Sequence, residues 1–393
     1  MMRVAIALGV AQTIAWACTY YLPAVIAAAV AEELGRPLFQ VVAAFSAALL
    51  VSGFCAPAVG RAIEARGGRG VLAISAVVIA AGLAMLGVLP GLWGWALGWL
   101  VIGLGMAMGL YDAAFATLGR LYGQGARRWI TVVTLFAGFA STIGFPVGAA
   151  LLPGLGWRGL CLSYAAIHLL VVLPLYLFVV PVAGPAAPPK PSVKADAPGE
   201  AWARRAFLLV AAFFTIRSIV SAVFAVHLLV LLEGLGLAVA AAVALGALVG
   251  AAQVGGRVME FTLGARAHPL TVARAGAVLL PAGVALLVLV GPVAALPFAL
   301  AFGVSNGILT ISRGAVPLVL FGAQGYAVLM GRLAMPTLVA QAVAPTLAAP
   351  LVESLPALWV FGGTGVLAAA ALACLWLVRP RPDSDRLAAG EPR

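Results

Sequence analysis

An all-α polytopic membrane protein, with twelve crossings arranged as two similar six-helix bundles, is predicted by three observations: extreme apolarity, apolar runs of membrane length, and a repeat between the two halves. Of the 393 residues, 64% are hydrophobic and 9% charged, with a mean hydropathy of +1.14. Soluble domains carry about 25% charged residues, and a water-soluble fold could not hide so much apolar side chain. The runs between loops reach about 20 apolar residues, enough to cross a hydrocarbon core of roughly 30 Å.

The crossings centre near residues 17, 49, 80, 105, 141, 169, 219, 249, 281, 304, 340 and 368. The first run follows Arg3 and imitates a secretion signal, with Cys18 placed as in a lipoprotein box. It continues to Ala31 without a cleavage-like break, so it reads as an uncleaved first helix. Residues 181–205, PVAGPAAPPKPSVKADAPGEAWARR, are too rich in proline and charge to build a core and read as a solvated linker. The expected organisation is one bundle over 1–180, the linker over 181–205, a second bundle over 206–379 and a tail over 380–393.

The formal charge of +11 would suit nucleic acid if the basic residues shared a soluble face. They lie instead between apolar runs, so the lipid bilayer is the expected partner and nucleic acid is not. With the N-terminus inside, the even-numbered connections hold Arg61, Arg66, Arg69, Arg120, Arg127, Arg128, Lys190, Lys194, Arg204, Arg205, Arg266 and Arg274. The opposite loops hold little beyond Arg36 and Arg158. That bias predicts a multi-pass protein of a bacterial-type inner membrane with both termini and the linker in the cytoplasm. The four cysteines fall in apolar runs without CxxC spacing, and His168, His227 and His268 form no metal motif. Neither a metal nor another cofactor is expected.

The halves repeat. GRAIE at 60–64 returns as GRVME at 256–260, GMAMG at 105–109 as GVSNG at 303–307, and LYG at 121–123 as LFG at 320–322, with offsets of 196 to 199 residues. Six helices duplicated in parallel orientation are one of the architectures of secondary transporters. On these features the chain resembles the major facilitator superfamily. The resemblance covers essentially the whole sequence and includes that family's signature after the second helix, here GRAIEARGGRG with Gly60, Glu64, Arg66, Gly67, Gly68 and Arg69 in register. Glu64 stands where aspartate is commoner and Ala65 where arginine is usual, which predicts a differently wired inner-gate charge network. GFASTIGFPVG in the fifth span departs from the Gly-Pro motif of the family's exporters, and the texture is similar to the monocarboxylate and oxalate/formate carrier branches.

The resemblance implies that helices one, four, seven and ten line a central cavity. An ionisable side chain buried in a membrane is costly and by default marks a function. Three fall in these helices: Asp112, Arg217 and Arg313. Arg217 lies 11 residues after Ala206, about 16 Å into the bilayer at 1.5 Å per residue, where its guanidinium can hold a carboxylate or phosphate by paired hydrogen bonds. A structural ion pair is the competing reading. Asn306, Thr310 and Arg313 share one helical face, as a water-filled cavity requires, although Arg313 is near enough to the helix end to snorkel. Gln12, Trp16 and Thr19 form a stripe on helix one with Tyr20 and Tyr21 alongside; Gln12 and Tyr20 are candidate pocket residues, with packing between bundles as the alternative. Gln253 and Gln341 are similarly ambiguous.

Asp112, inside GLYDAAF, shares a face with Gly105, Gly109 and Ala116 if helix four is continuous. Small residues there let another helix approach, which points the acid into protein. It is the proton-coupling candidate, and Arg313, at matching depth in the repeat, is its expected counter-ion when the inner side is closed. Gly60, Arg61, Glu64, Arg66, Arg69, Arg257 and Glu260, at equivalent helix ends of the two halves, read as gate residues, with headgroup anchoring as the alternative.

No GxxxxGK[ST] is present, GLGMAMG at 103–109 lacks dinucleotide spacing, and no catalytic cluster appears, so no enzyme activity is expected. No interrupted helix of the kind that coordinates sodium is evident either. The sequence therefore predicts a monomeric secondary carrier of a small organic anion, driven by protons through alternating access. A proton-driven efflux antiporter is the second reading, and a non-transporting membrane receptor the remote third.

Overall fold

Lipid offers the backbone no hydrogen-bond partner, so each crossing must satisfy its amides internally, and a helix does this within one segment. The computed structural model describes residues 1–184, 200–264 and 267–379. All regular structure among them is helical. Lys190, Lys194, Arg266, most of the expected linker and the expected tail over 380–393 lie outside the described residues.

The first crossing is split into α1 (Met2–Cys18) and α2 (Leu22–Leu34). Next come α3 (Leu38–Arg66) and α4 (Gly68–Val88). The fourth crossing is again split, into α5 (Gly91–Gly109) and α6 (Tyr111–Tyr122). The fifth begins as α7 (Ala126–Ala137) and continues in α8 (Ala140–Ile167). Gly156, at φ 63°, adopts a conformation few other residues tolerate and turns α8 into the sixth crossing. That crossing ends in π-helical turns at His168–Val172 and Leu175–Val179.

The second half is simpler: α9 (Glu200–Gly234), α10 (Val239–Thr262), α11 (Pro269–Val290), α12 (Ala295–Phe321), α13 (Tyr326–Ser354) and α14 (Ala357–Leu377). Ten stretches among the described residues are long and apolar enough to cross a membrane. Nine of them supply one crossing each, and the 89-residue stretch Gly91–Val179 supplies three, which gives the twelve expected.

Packing divides the chain into two compact units, Met1–Pro188 with Ala323–Met335, and Pro189–Gly322 with Pro336–Arg393. In the first, Trp95 and Trp99 are fully buried with ring centroids 5.8 Å apart, and the Trp95 indole donates to the Val41 carbonyl at 2.9 Å. In the second, Phe224 packs edge-on against Phe298 and Phe302 at 5.5 and 5.1 Å, within a core that includes Val220, Leu280 and Phe361.

Glycines set the close approaches. A Cβ at Gly103 would collide with the backbone of Ala48, and one at Gly303 with Ala252 and the Val249 carbonyl. The packing thus equates Gly103 with Gly303, whereas the repeated GxxxG string pairs Gly105 with Gly303. Gly105 and Gly109 instead face Ile79 and Ser75 of α4. The mismatch is physical: helix four carries small residues on two faces, and a spacing rule cannot say which neighbour each face meets.

These contacts predict contrasting substitutions. Gly307→Ala would drive a methyl into the Gln253 carbonyl and the Arg257 amide, both backbone, and should cost about 1–3 kcal/mol through overpacking. Gly250→Ala has nothing within 4 Å and should leave the thermal unfolding midpoint of the detergent-purified protein unchanged or slightly raised. Equal midpoints for the two variants would contradict the packing described.

Candidate functional site

The second unit places its intramembrane arginine on α9, eleven residues into the apolar run. Arg217 is half-buried. Its Nη1 donates to Ser221 Oγ at 2.6 Å, one turn further along the same helix, and its Nη2 donates to Asn306 Oδ1 on α12. Ser221 Oγ also donates to Asn306 Oδ1 at 3.4 Å, so the three side chains close a ring. Both partners of the guanidinium are neutral. Among the described residues Arg217 has no carboxylate partner.

Arg217 also lines a narrow, partly open cleft walled by Phe213 and Val220 of α9, Ala277 and Leu280 of α11, Ser305 and Leu309 of α12, and Ala368 and Ala371 of α14. The Ser305 hydroxyl is fully buried there without a hydrogen-bond partner. α9 is further tied to α13: Ser218 Oγ donates to the Thr337 carbonyl at 2.7 Å, and His227 Nε2 donates to the Pro345 carbonyl at 3.0 Å.

The other predicted residues of this unit are less tightly joined to the arginine. Thr310 spends its hydroxyl on the Asn306 carbonyl at 2.7 Å, within its own helix. Arg313 is half-buried one turn further on. Arg257 and Glu260 of α10 are each only 4% exposed, deeper than headgroup anchors would be. Gln253 and Gln341 are half-buried.

In the first unit the surroundings of Asp112 differ from the expectation of a continuous helix four. Leu110 is extended, with φ −85° and ψ −169°, and ends α5, so a second helix starts at Tyr111. The face shared by Gly105 and Gly109 stops there. Asp112, half-buried, sits in the first turn of α6, where the positive end of the helix dipole favours a carboxylate. A break in the fourth helix is thus present although no proline announces it.

Gln12 explains how the break is tolerated. It is fully buried, and its Nε2 donates at 2.5 Å to the carbonyl of Gly109, the last residue of α5. Its Oε1 faces the buried hydroxyl of Tyr176. One turn along, Trp16 packs on Tyr111 and Tyr20 with ring centroids 4.8 and 5.0 Å away, and Tyr20 meets Tyr21 at 5.4 Å. Gln12 and Tyr20 therefore lie with the two breaks in helices one and four.

At the end of α3, Glu64 accepts from the backbone amides of Gly325 at 3.3 Å and Ala327 at 3.2 Å, capping the start of α13. This satisfies donors that every helix start leaves open. Arg120 Nε donates to the Glu64 carbonyl at 3.3 Å and its Nη2 to the Gly184 carbonyl at 2.8 Å. Gly60 permits the approach, since a Cβ there would strike the Ala327 carbonyl. Arg61 and Arg66 are exposed and Arg69 is half-buried.

Sequence reasoning missed several members. Ser221 was legible, because it stands four residues after Arg217 on the same helical face. Ser305 and Tyr176 carried no signal beyond being polar in an apolar run. Glu33, which pairs with Arg158 at 2.9 Å and accepts from the Trp157 indole at 2.5 Å, joins distant segments. Among the described residues no cluster of three metal-ligating side chains exists.

Comparison with known proteins agrees with this architecture. A family model described as Major Facilitator Superfamily matches residues 8–328. The chain is similar in structure to the human organic anion transporter MFSD10 (TETRAN), at 17% identity and a TM-score of 0.70, covering 95% of this chain and 99% of that one. It is also similar to the proton:xylose symporter XylE bound to 6-bromo-6-deoxy-D-glucose, at 13% identity and a TM-score of 0.73, covering 96% of each chain. The E. coli fucose:proton symporter FucP matches at 16% identity and a TM-score of 0.71, covering 95% of this chain and 98% of that one. No curated protein sequence matches the chain.

Gln12→Leu tests the role given to that side chain. Leucine fills the space but leaves the buried Gly109 carbonyl unpaired, which should cost about 1–3 kcal/mol. A lowered unfolding midpoint is expected, and a midpoint equal to that of the unaltered protein would show that the amide does not support the break.

Proposed function

Because this chain belongs to the Major Facilitator Superfamily, we propose that it is a proton-coupled carrier of a small organic anion, working by alternating access. One observation carries the reading: Arg217, deep in an apolar helix, is held by two neutral oxygens and has no carboxylate among the described residues. A charge left uncompensated away from water is expensive. A solute that brings the missing negative charge removes that cost as it binds, which makes binding selective for anions. That one similar fold belongs to an organic anion transporter is consistent with this reading, but at 17% identity it shows the fold alone.

Asp112 is the proposed proton carrier, with Gly60, Arg61, Glu64, Arg66 and Arg69 as gate residues of the first repeat and Arg257 and Glu260 of the second. Both termini are placed in the cytoplasm of a bacterial-type inner membrane, in a monomeric carrier. A second reading, proton-driven efflux of an aromatic or cationic compound, is favoured by the aromatic group Trp16, Tyr20, Tyr21 and Tyr111 next to Asp112.

Proteoliposomes with an imposed pH gradient separate the two readings. Uptake of small carboxylates that falls at least about 10-fold in Arg217→Gln, equivalent to the roughly 1.4 kcal/mol or more that a charged hydrogen bond supplies, supports the anion carrier. Undiminished carboxylate uptake in that variant, or gradient-driven extrusion of lipophilic cations alone, would overturn it. Asp112→Asn should abolish accumulation driven by the pH gradient while leaving exchange of solute for solute. Gradient-driven accumulation at the unaltered rate would remove Asp112 from the coupling step.

A further inference from the structure

The ring around Arg217 fixes more than the position of a charge. Arginine presents five N–H donors in a rigid planar fork, with one pair on the end-on edge between Nη1 and Nη2 and another on the side-on edge between Nε and Nη2. Ser221 Oγ and Asn306 Oδ1 accept from the two different terminal nitrogens and lie 3.4 Å from each other. Two acceptors so close together can serve both nitrogens only across the end-on edge. The protein therefore fills that edge with two neutral oxygens and supplies no negative charge with them. The side-on pair has no acceptor among the described residues.

A second, independent group points the same way. Ser305 immediately precedes Asn306 on α12, lines the same cleft as Arg217, is 0% exposed, and has a hydroxyl without a hydrogen-bond partner. An orphaned buried hydroxyl costs free energy that a bound acceptor would recover. The remaining walls of the cleft are apolar: Phe213, Val220, Leu280 and Leu309, with two small alanines from α14. The cleft is narrow and partly open: its roughly 250 Å³ of atom-free space includes the open mouth, and its walls enclose about one water-sized site. Only a small group can enter from that mouth.

From these observations we infer that the second unit binds a short-chain carboxylate side-on, its two oxygens on the Nε and Nη2 donors of Arg217, with Ser305 as an additional donor and its short apolar chain against the apolar walls at the cleft mouth. This rests on the anion reading above and specifies the solute class and the edge. Asn306 and Ser221 are then positioning residues. They orient the fork and, by being neutral, leave its charge for the solute. A planar, bidentate anion fits the free edge, a monatomic anion meets only a point charge, and a neutral planar amide brings no charge at all.

The test uses the full-length protein in detergent and reads the ligand-dependent rise in thermal unfolding midpoint with sodium acetate, sodium propionate, sodium chloride and acetamide as probes. Acetate and propionate are expected to stabilise the unaltered protein, while chloride at equal ionic strength and acetamide do not. Asn306→Asp should fold with an unliganded midpoint no lower than normal, because it gives the arginine a permanent partner, and should weaken acetate binding at least about 10-fold. Arg217→Lys keeps the charge but loses the fork and should weaken binding to a similar degree. Ser305→Ala, a one-atom deletion that threatens folding least, should weaken it by about 10-fold. Acetate affinity within about threefold of normal in Asn306→Asp and Arg217→Lys, with Arg217→Gln still inactive, would overturn the side-on geometry and leave the anion reading standing. Should Asn306→Asp not fold, unaltered affinity in Ser305→Ala overturns the proposed contact by itself. If the unaltered protein responds to no carboxylate, the anion reading fails and this inference with it.

Discussion

The hydrocarbon interior cannot hydrogen-bond to a backbone, and the rest of this structure follows from how the chain meets that demand. Unbroken helix meets it without help. Where helix is interrupted or begins, side chains take over: Gln12 for the Gly109 carbonyl and Glu64 for the amides of Gly325 and Ala327, while Ser218 and His227 tie α9 to the Thr337 and Pro345 carbonyls of α13. Polar residues that looked like a substrate-binding stripe in the sequence are in part spent on these repairs. Gln12 is the clearest case, since its amide nitrogen is already committed to a carbonyl at 2.5 Å and the residue is fully buried.

The same demand sorts what was legible in the sequence from what was not. Spans, their number and the duplication depend on composition and periodicity, which are local, and the helices lie where the apolar runs put them. Helix one was expected to run on to Ala31 but breaks after Cys18: Pro23 lacks an amide and its ring crowds the carbonyl four residues back, at Thr19, where α1 ends. The break at Leu110 has no proline and no left-handed residue to mark it. It is stabilised by a side chain 97 residues away, and nothing in the local string GLYDAAF encodes that partner. Asp112 looked anomalous because the helix was assumed continuous. At the start of a new helix a carboxylate is an ordinary first-turn residue.

Arg217 was found from depth alone, but its meaning came from its partners. A guanidinium opposite an acid would have been a structural ion pair. Opposite Ser221 and Asn306 it stays uncompensated, and only contact across 89 residues distinguishes the two cases. Asn306 was expected to share a polar face with Thr310 and Arg313, but Thr310 is turned back onto its own helix, and it is Asn306 that reaches the arginine. Helical periodicity identifies which residues lie near one another on a surface; it does not say which of them spends its hydrogen bonds at home.

The duplication has not preserved helix continuity. In the first unit the crossings numbered one, four and five are each interrupted, at residues 19–21, 110 and 138–139, whereas their repeats α9, α12 and α13 run through without a break. An interrupted helix has fewer backbone hydrogen bonds to lose on bending, so its segments shift at lower cost than an equal length of unbroken helix. A fork held on two oxygens needs the opposite property, because tenths of an ångström decide whether both bonds form at once. Arg217, Ser221 and Asn306 stand on α9 and α12, two of the unbroken helices. Asp112 stands immediately after a break. The repeat has thus placed its orienting groups on stiff elements of one unit and its carboxylate at a joint of the other, a division that two identical halves could not provide.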